Sequence, residues 1–400
     1  MQGLVTKSTG SGYRVLLDDG SSVLCHIKGN LRIRGIRTTN PVAVGDRVQI
    51  TLTDAVGPTA EGGPTGEAGH VGWITDILPR RNYIIRRATN LSKQAHILAA
   101  NLDQVALIVT IRHPETSTTF IDRFLATAEA YRIPAVLIFN KIDLLTPDEL
   151  DYLNSLRQLY ESLNYPTYAI CAKNITENGA PAKSGRGNGF CGESGGTGRF
   201  NERGTLSPCD PVAEREAVLM SVFLGKTTLL AGNSGVGKST LLNALFGREL
   251  TRTADLSDAH DTGMHTTTFS EMYRLIGEAA PTAKRSYSAA VLQRSDPTGE
   301  AGHPTNGWII DIPGVKGFGS VEMEPHEVSH YFRDIFRIGQ SCRYSDCLHT
   351  GEPGCAVREA LTNQKPNLQS SIFNLKSHIA LSRYESYLSM LGDSSEQKYR

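Results

Sequence analysis

One run of nine residues limits what this chain can fold into more than any other feature. Gly232, Asn233, Ser234, Gly235, Val236, Gly237, Lys238, Ser239 and Thr240 follow the apolar run Thr228 to Ala231 and precede the helical pattern Leu241 to Phe246. Strand, glycine-rich loop and helix in that order make a P-loop. The glycines let backbone N–H groups turn inward around phosphate oxygens, and the helix N-terminus adds its positive dipole. Lys238 is placed to reach the β and γ phosphates, and the Ser239 hydroxyl to bind Mg²⁺.

The surrounding pattern agrees. Val105 to Ile111 and Ala135 to Phe139 are apolar throughout, and they alternate with amphipathic helical segments near Phe120 to Tyr131 and Asp148 to Leu163. Strands apolar on both faces and separated by helices make a parallel α/β sheet. At the end of one of them stand Asn140, Lys141, Ile142 and Asp143, where ligands bind in such sheets. A carboxylate at Asp143 can accept from both guanine N1–H and the N2 amino group, which adenine does not offer. Asn140 can bond N7 and brace the loop. Cys171, Ala172 and Lys173 follow the strand Thr167 to Ile170, and the Ala172 N–H is expected to meet guanine O6. Proteins that hydrolyse GTP usually carry Ser at the position of Cys171.

Asp311 to Gly314 ends the strand Trp308 to Ile310 and matches the DxxG element. In it Asp311 holds Mg²⁺ through water and the Gly314 amide senses the γ-phosphate. Between the P-loop and this element lie His265, Thr266, Thr267 and Thr268, and Thr267 is the favoured switch ligand to Mg²⁺. Val315 occupies the place where many GTPases carry the glutamine that orients the attacking water. An apolar side chain cannot do so, and His265 is the best candidate. The guanine-reading elements precede the P-loop, the reverse of the ordinary order, so the sheet must be circularly permuted. Termini of compact domains lie close together, and a permutation can therefore preserve the site.

Beyond the switch comes Cys342, Cys347, His349 and Cys355, four soft ligands within fourteen residues. Gly351, Pro353 and Gly354 make this segment a knuckle, and the set suits one tetrahedral structural Zn²⁺ with no open position. Helices are expected over Ala356 to Leu391, including Arg383, Tyr384 and Tyr387. At the other end, short alternating runs from Leu4 to about Leu52, broken by Asp19-Gly20 and Gly45-Asp46 turns, point to a small β-barrel. A further strand is expected at Trp73 to Leu78, then the basic stretch from Arg80 to Lys93.

Taken together these elements resemble the circularly permuted GTPases of small ribosomal subunit biogenesis, the RsgA or YjeQ family. The resemblance spans nearly the whole chain: N-terminal barrel, permuted GTPase domain, HTTT switch, DxPG, zinc knuckle and the terminal Arg383 to Tyr387 segment. It implies an OB-fold RNA-binding domain with a basic linker at 1–98, a circularly permuted GTPase domain at 99–340 and a zinc-binding helical domain at 341–400. It also implies slow GTP hydrolysis stimulated by the 30S subunit, 16S rRNA contact, a role late in subunit maturation, and support for His265 as the catalytic group. The competing reading is a GTP-sensitive RNA-binding module whose hydrolysis is incidental. A P-loop ATPase or small-molecule kinase is disfavoured by Asp143 and by the lack of an evident acceptor site.

Composition bears on compartment and partner. No stretch reaches the roughly 18–20 apolar residues of a membrane helix, and residues 1–17 lack the apolar core of a signal peptide, so a cytoplasmic monomer away from membranes is expected. Seven cysteines with three clustered suit metal more than disulfides. The chain is neutral overall, yet residues 1–98 hold 12 Lys and Arg against 7 Asp and Glu. Two glycine-rich insertions are expected near 174–208 and 278–306. The heptapeptide PTGEAGH occurs at Pro64 to His70 and again at Pro297 to His303; a duplicated loop element explains it better than a binding motif.

Overall fold

The computed structural model describes residues 1–9, 12–27, 41–56, 70–87, 95–173, 219–246, 250, 270–275, 306–312, 323–362 and 379–396. Strands β1 (Gln2–Ser8), β2 (Tyr13–Leu17), β3 (Ser22–Ile27), β4 (Arg47–Val56) and β5 (His70–Ile77) alternate inward and outward residues. Val5, Val15, Val23, Val48, Ile50 and Ile74 fill the interior. The strands run β1-β2-β3-β5-β4, and β4 returns to pair with β1, closing the expected OB-type barrel and leaving it no free edge.

The basic stretch after β5 is more than a linker. It holds β6 (Tyr83–Arg87), which pairs antiparallel with β7 (Ala95–Ala100), and Ile84 is buried in the main core. Two of its arginines serve the fold. Arg80 forks onto the buried Asp46 with both bonds at 2.6 Å, and Arg81 meets Asp103 at 2.7 Å. Flanking arginines hide this strand in the sequence, because charge in such numbers reads as solvated loop.

The second layer of the molecule is built on β8 (Gln104–Val109), β9 (Ala135–Phe139), β10 (Thr167–Ala169), β11 (Thr227–Ala231), β12 (Glu271–Leu275) and β13 (Gly307–Asp311). Every residue of β8 and β9 is buried, as a strand covered on both faces requires. The spatial order is β10-β9-β8-β11-β13-β12, parallel except for β12, which runs antiparallel to β13. Helical segments cover both faces of this sheet: two helices pack on one, and on the other lie Leu219, Val222 and Phe223 with Leu241 and Leu242 of the helix after the P-loop. Helix α1 (Thr118–Ala130) is capped by Ser117, and α2 (Pro147–Ser162) by a reciprocal Thr146 and Glu149 capping box with Pro147 at its first position. β12 also joins the barrel: Lys7 of β1 pairs with Glu271, backbone register and a 3.0 Å ion pair together, so one eleven-stranded sheet runs through both units. Helix α3 (Lys238–Phe246) leaves the P-loop.

At the C-terminal end α4 (Arg333–Gly339), α5 (Ala356–Thr362) and α6 (Leu381–Glu396) pack around Phe332, Ile335, Val357 and Tyr387. The expected helices over Ala356 to Leu391 are present at both ends, α6 continues to Glu396, and 363–378 lie outside the described residues. Arg383 of α6, 1% exposed, fixes this unit to the sheet domain. It grips Asp334 of the short turn and helix before the knuckle through two bonds of 2.8 and 3.1 Å, and Asp122 of α1 through one of 2.8 Å. Asp122 is completed by Ser386 at 2.7 Å and Tyr160 at 3.0 Å. Burial raises the Asp334 carboxyl, yet the adjoining guanidinium more than offsets this and holds it below the usual carboxylate range.

Removing the cation would leave two buried carboxylates facing each other. Arg383→Met is therefore expected to destabilise the chain by about 3–5 kcal/mol, read as a lower denaturant midpoint at unchanged slope. A midpoint equal to that of the unsubstituted chain would contradict the assignment.

Candidate functional site

The carboxyl ends of β8, β9, β10, β11 and β13 lie side by side, which is where an open α/β sheet forms a crevice. β11 sits between β8 and β13, with Leu230 level with Asp311 and Ala231 level with Leu107. The chain turns at Gly232, where φ is +148°; an added Cβ would stand 2.5 Å from the Ile108 carbonyl oxygen. Gly235 and Gly237 have φ of +81° and +97°. These left-handed conformations allow the loop's amides to converge, and Asn233, Ser234, Val236, Ser239 and Thr240 complete it up to the first turn of α3.

Lys238 folds back over the loop, its ammonium donating to the Gly232 and Asn233 carbonyls at 2.6 and 2.8 Å. Burial lowers its pKa, and the neighbouring Asp311 pulls in the opposite sense. Burial raises the Asp311 carboxyl, and Lys238 opposes that in turn. A partly desolvated ammonium and carboxylate at the end of β11 and β13 are the charge pair that a phosphate and its cation would enter.

Asn140 is the centre of the site. The residue is 4% exposed; Nδ2 donates to the Val236 carbonyl at 2.8 Å, and Oδ1 accepts from the Ala172 N–H at 2.9 Å. The NKID segment, the CAK segment and the P-loop are thus brought together, with Cys171 buried among them. The Ala172 N–H, expected to meet guanine O6, here donates to Asn140, because a buried amide oxygen needs a donor and this one is in reach. Lys141 adopts a left-handed φ of +63° and donates to the His113 carbonyl at 2.5 Å, while Asp143 is exposed in the 3₁₀ turn Ile142–Leu144. Ala172 and Lys173 begin the helical turn that follows.

Two residues at this site carry no motif. His113, itself at φ +55°, holds Lys141, and Pro114 Cδ would lie 3.3 Å from a Cβ at Gly235. The His-Pro pair at the end of an apolar strand is an ordinary turn signal, and nothing in it tells that the turn faces the P-loop. His265, Thr266, Thr267, Thr268, Gly314 and Val315 lie outside the described residues, as do both copies of PTGEAGH apart from His70, and the insertions at 174–208 and, apart from Asn306, at 278–306.

The knuckle is fully described. Ligand atoms of Cys342, Cys347, His349 and Cys355 all lie within 4.8 Å of one another. His349 Nδ1 is 3.5 Å from both Cys342 and Cys355 Sγ, and those sulfurs are 4.0 Å apart. Around one tetrahedral Zn²⁺ with sulfur at ~2.3 Å and nitrogen at ~2.0–2.1 Å these separations would be ~3.6 and ~3.8 Å, so the four residues fit the ion. Their chemistry fits as well. Burial lowers His349 and so favours its neutral, ligating form, while burial and the neighbouring thiols push Cys347 up to about 12, a proton cost that a bound cation would have to overcome. The shell around them is fixed by the chain itself. Tyr384 and Tyr387 of α6 donate to the His349 and Leu348 carbonyls, both at 2.7 Å, and the Glu352 carboxylate accepts from the Leu348, Thr350 and Gly351 amides, which hold it down at about 2.

Comparison with known proteins comes to the same architecture. The family model of the RsgA GTPase matches residues 77–199 and 211–280, and that of the RsgA N-terminal domain residues 2–57. The small ribosomal subunit biogenesis GTPase RsgA of Bacteroides fragilis is 44% identical over 400 residues, covering 100% of this chain and 99% of that protein. Its counterpart in Porphyromonas gingivalis is 43% identical with the same coverage. Among solved structures, YjeQ from Thermotoga maritima is similar with a TM-score of 0.59 at 26% identity, over 98% of both chains. YloQ, described as a circularly permuted GTPase, shares the fold at a TM-score of 0.54 and 20% identity, over 100% of this chain and 96% of that one.

The knuckle should hold one zinc per chain. Elemental analysis of protein purified without chelator is expected to find it, and stripping the metal should unfold the C-terminal unit, since structural zinc contributes ~10–16 kcal/mol of apparent binding free energy. Because the thiols must lose protons to bind, affinity is expected to fall as pH is lowered. Full protease resistance of the stripped protein would contradict the structural role.

Proposed function

This chain belongs to the RsgA GTPase family, a small ribosomal subunit biogenesis GTPase of circularly permuted order, and from this we propose that it binds the 30S subunit through 16S rRNA and assists its late maturation. In this reading GTP hydrolysis is slow alone, is stimulated by the subunit, and gates release. The observation that carries it is the Asn140 side chain, which ties the guanine-side segments to the P-loop although the chain visits them in permuted order. Lys238 would meet the β and γ phosphates, Ser239 and Asp311 would hold Mg²⁺, directly and through water, and Asp143 would read guanine. Thr267, Gly314 and His265 would complete the switch, with His265 orienting water. The partner reading implies a cytoplasmic monomer, divided near 98 and 340; among the described residues no helix is long and apolar enough to cross a membrane.

The alternative, an RNA-binding module with incidental hydrolysis, shares every motif and differs only in turnover. Two measurements separate the readings. Purified 30S subunits should raise GTP hydrolysis well above the basal rate, and the chain should pellet with them more strongly with a non-hydrolysable GTP analogue than with GDP. Equal binding in both states would reject the gating, and unchanged turnover would favour the alternative. Independently, Asp143→Asn should weaken GTP and favour xanthosine nucleotides, which offer an acceptor where guanine offers the N2 donor. Equal affinity of the unsubstituted chain for ATP and GTP would contradict guanine selection.

A further inference from the structure

The outer wall of the barrel carries a patch that the nucleotide site does not use. On β3 and β5, Leu24 is 47% exposed and Trp73 37%. The parallel register sets His26 level with Trp73 and Leu24 level with Val71, and the His26 and Trp73 rings lie 5.9 Å apart, inclined at 50°. β2 places the exposed Arg14 level with Leu24, and the exposed Arg47 begins β4, whose Thr51 is level with Trp73. Gly12 keeps the approach open: a Cβ there would stand 3.2 Å from Leu24 Cδ1 and 3.6 Å from His26 Cε1.

An indole on the outside of a closed barrel gains nothing for the core, which Ile74 and its neighbours already fill from the other face. Aromatic faces flanked by cations suit a partner with flat π-systems and negative charge. The first 98 residues carry the surplus of basic residues, and Arg80, buried against Asp46, does not supply it to solvent. We propose that the Leu24, His26 and Trp73 face is a stacking platform for unpaired bases of single-stranded RNA, with Arg14 and Arg47 meeting the adjoining phosphates. Duplex RNA fits poorly, because its bases are stacked on each other and present no free face. The inference rests on the ribosomal RNA reading and specifies which surface of the barrel serves it.

The chain has two tryptophans, so Trp308→Phe leaves Trp73 as the sole indole. Titrating that variant with a 12-mer of oligouridylate should quench its fluorescence, and a duplex of equal length should not. In the otherwise unsubstituted chain, Trp73→Ala should weaken binding to the oligonucleotide and to 30S subunits roughly tenfold while basal GTP hydrolysis stays unchanged, and Trp73→Tyr should retain most of the binding. Unquenched fluorescence with intact 30S binding, or oligonucleotide binding indifferent to Trp73→Ala, would overturn the platform and leave the ribosomal reading standing. Loss of 30S binding in Trp73→Ala without any oligonucleotide effect would assign the face to a ribosomal protein and likewise overturn it. Failure of the unsubstituted chain to bind either 30S or RNA would remove both.

Discussion

The buried side chain of Asn140 is the constraint on which the nucleotide crevice depends. Its partners lie 96 residues ahead at Val236 and 32 ahead at Ala172, so two small hydrogen bonds close loops that sequence keeps far apart. Each is worth about 1 kcal/mol when made, but a buried donor or acceptor left without one costs about 1–3 kcal/mol, so the crevice holds this one arrangement. Gly237 answers to the same constraint, since a Cβ there would stand 2.3 Å from Asn140 Nδ2. The glycine usually credited to phosphate approach is thus also set by its neighbour in the guanine-side loop. Chain order can be permuted because this closure acts through space and the sheet keeps its spatial order.

A second closure anchors the knuckle. The ligand atoms of three thiols and one imidazole all lie within 4.8 Å of one another, the spacing that one tetrahedral zinc would set. What holds the cluster in place is α6, through the phenols of Tyr384 and Tyr387 on one side and the Arg383 guanidinium on the other. A bound metal would shape the loop from within, whereas the ion pair fixes the finished unit against α1.

Much of this could be read from the residues. β8, β9, β11 and the P-loop announce themselves by continuous apolar runs and a glycine pattern with one physical meaning, and the knuckle by ligand type and spacing. The capping box at Thr146 and Glu149 marks α2 as plainly. What stayed hidden was relational. β6 is short and lies among arginines whose partners, Asp46 and Asp103, are remote in sequence. β12 has five residues and gains its place from pairing with β13 on one side and β1 on the other. The Ala172 amide was legible as part of the site, but its bond to Asn140 Oδ1 was not, because it depends on where that side chain points. Composition also misled in one respect, since a local charge surplus does not tell which cations the fold itself consumes.

Helix α1 joins these closures into one body. The loop before it runs from Thr110 to Thr116, knitted by bonds between those two residues of 3.0 and 3.2 Å, and presents the His113 carbonyl to Lys141 and the Pro114 ring to Gly235. One turn into the helix, Asp122 receives Arg383, Ser386 and Tyr160. Arg123 adds surface contacts to Ser389 and Asp393 of α6. The exposed pair is screened and contributes little, whereas the buried one leaves no polar atom of Asp122 without a partner. Helix α1 and the loop before it therefore approach the phosphate loop at one end and pack the knuckle-bearing unit along the helix side. In a packed interior, strain at one of these contacts has no soft layer in which to dissipate before it meets the other.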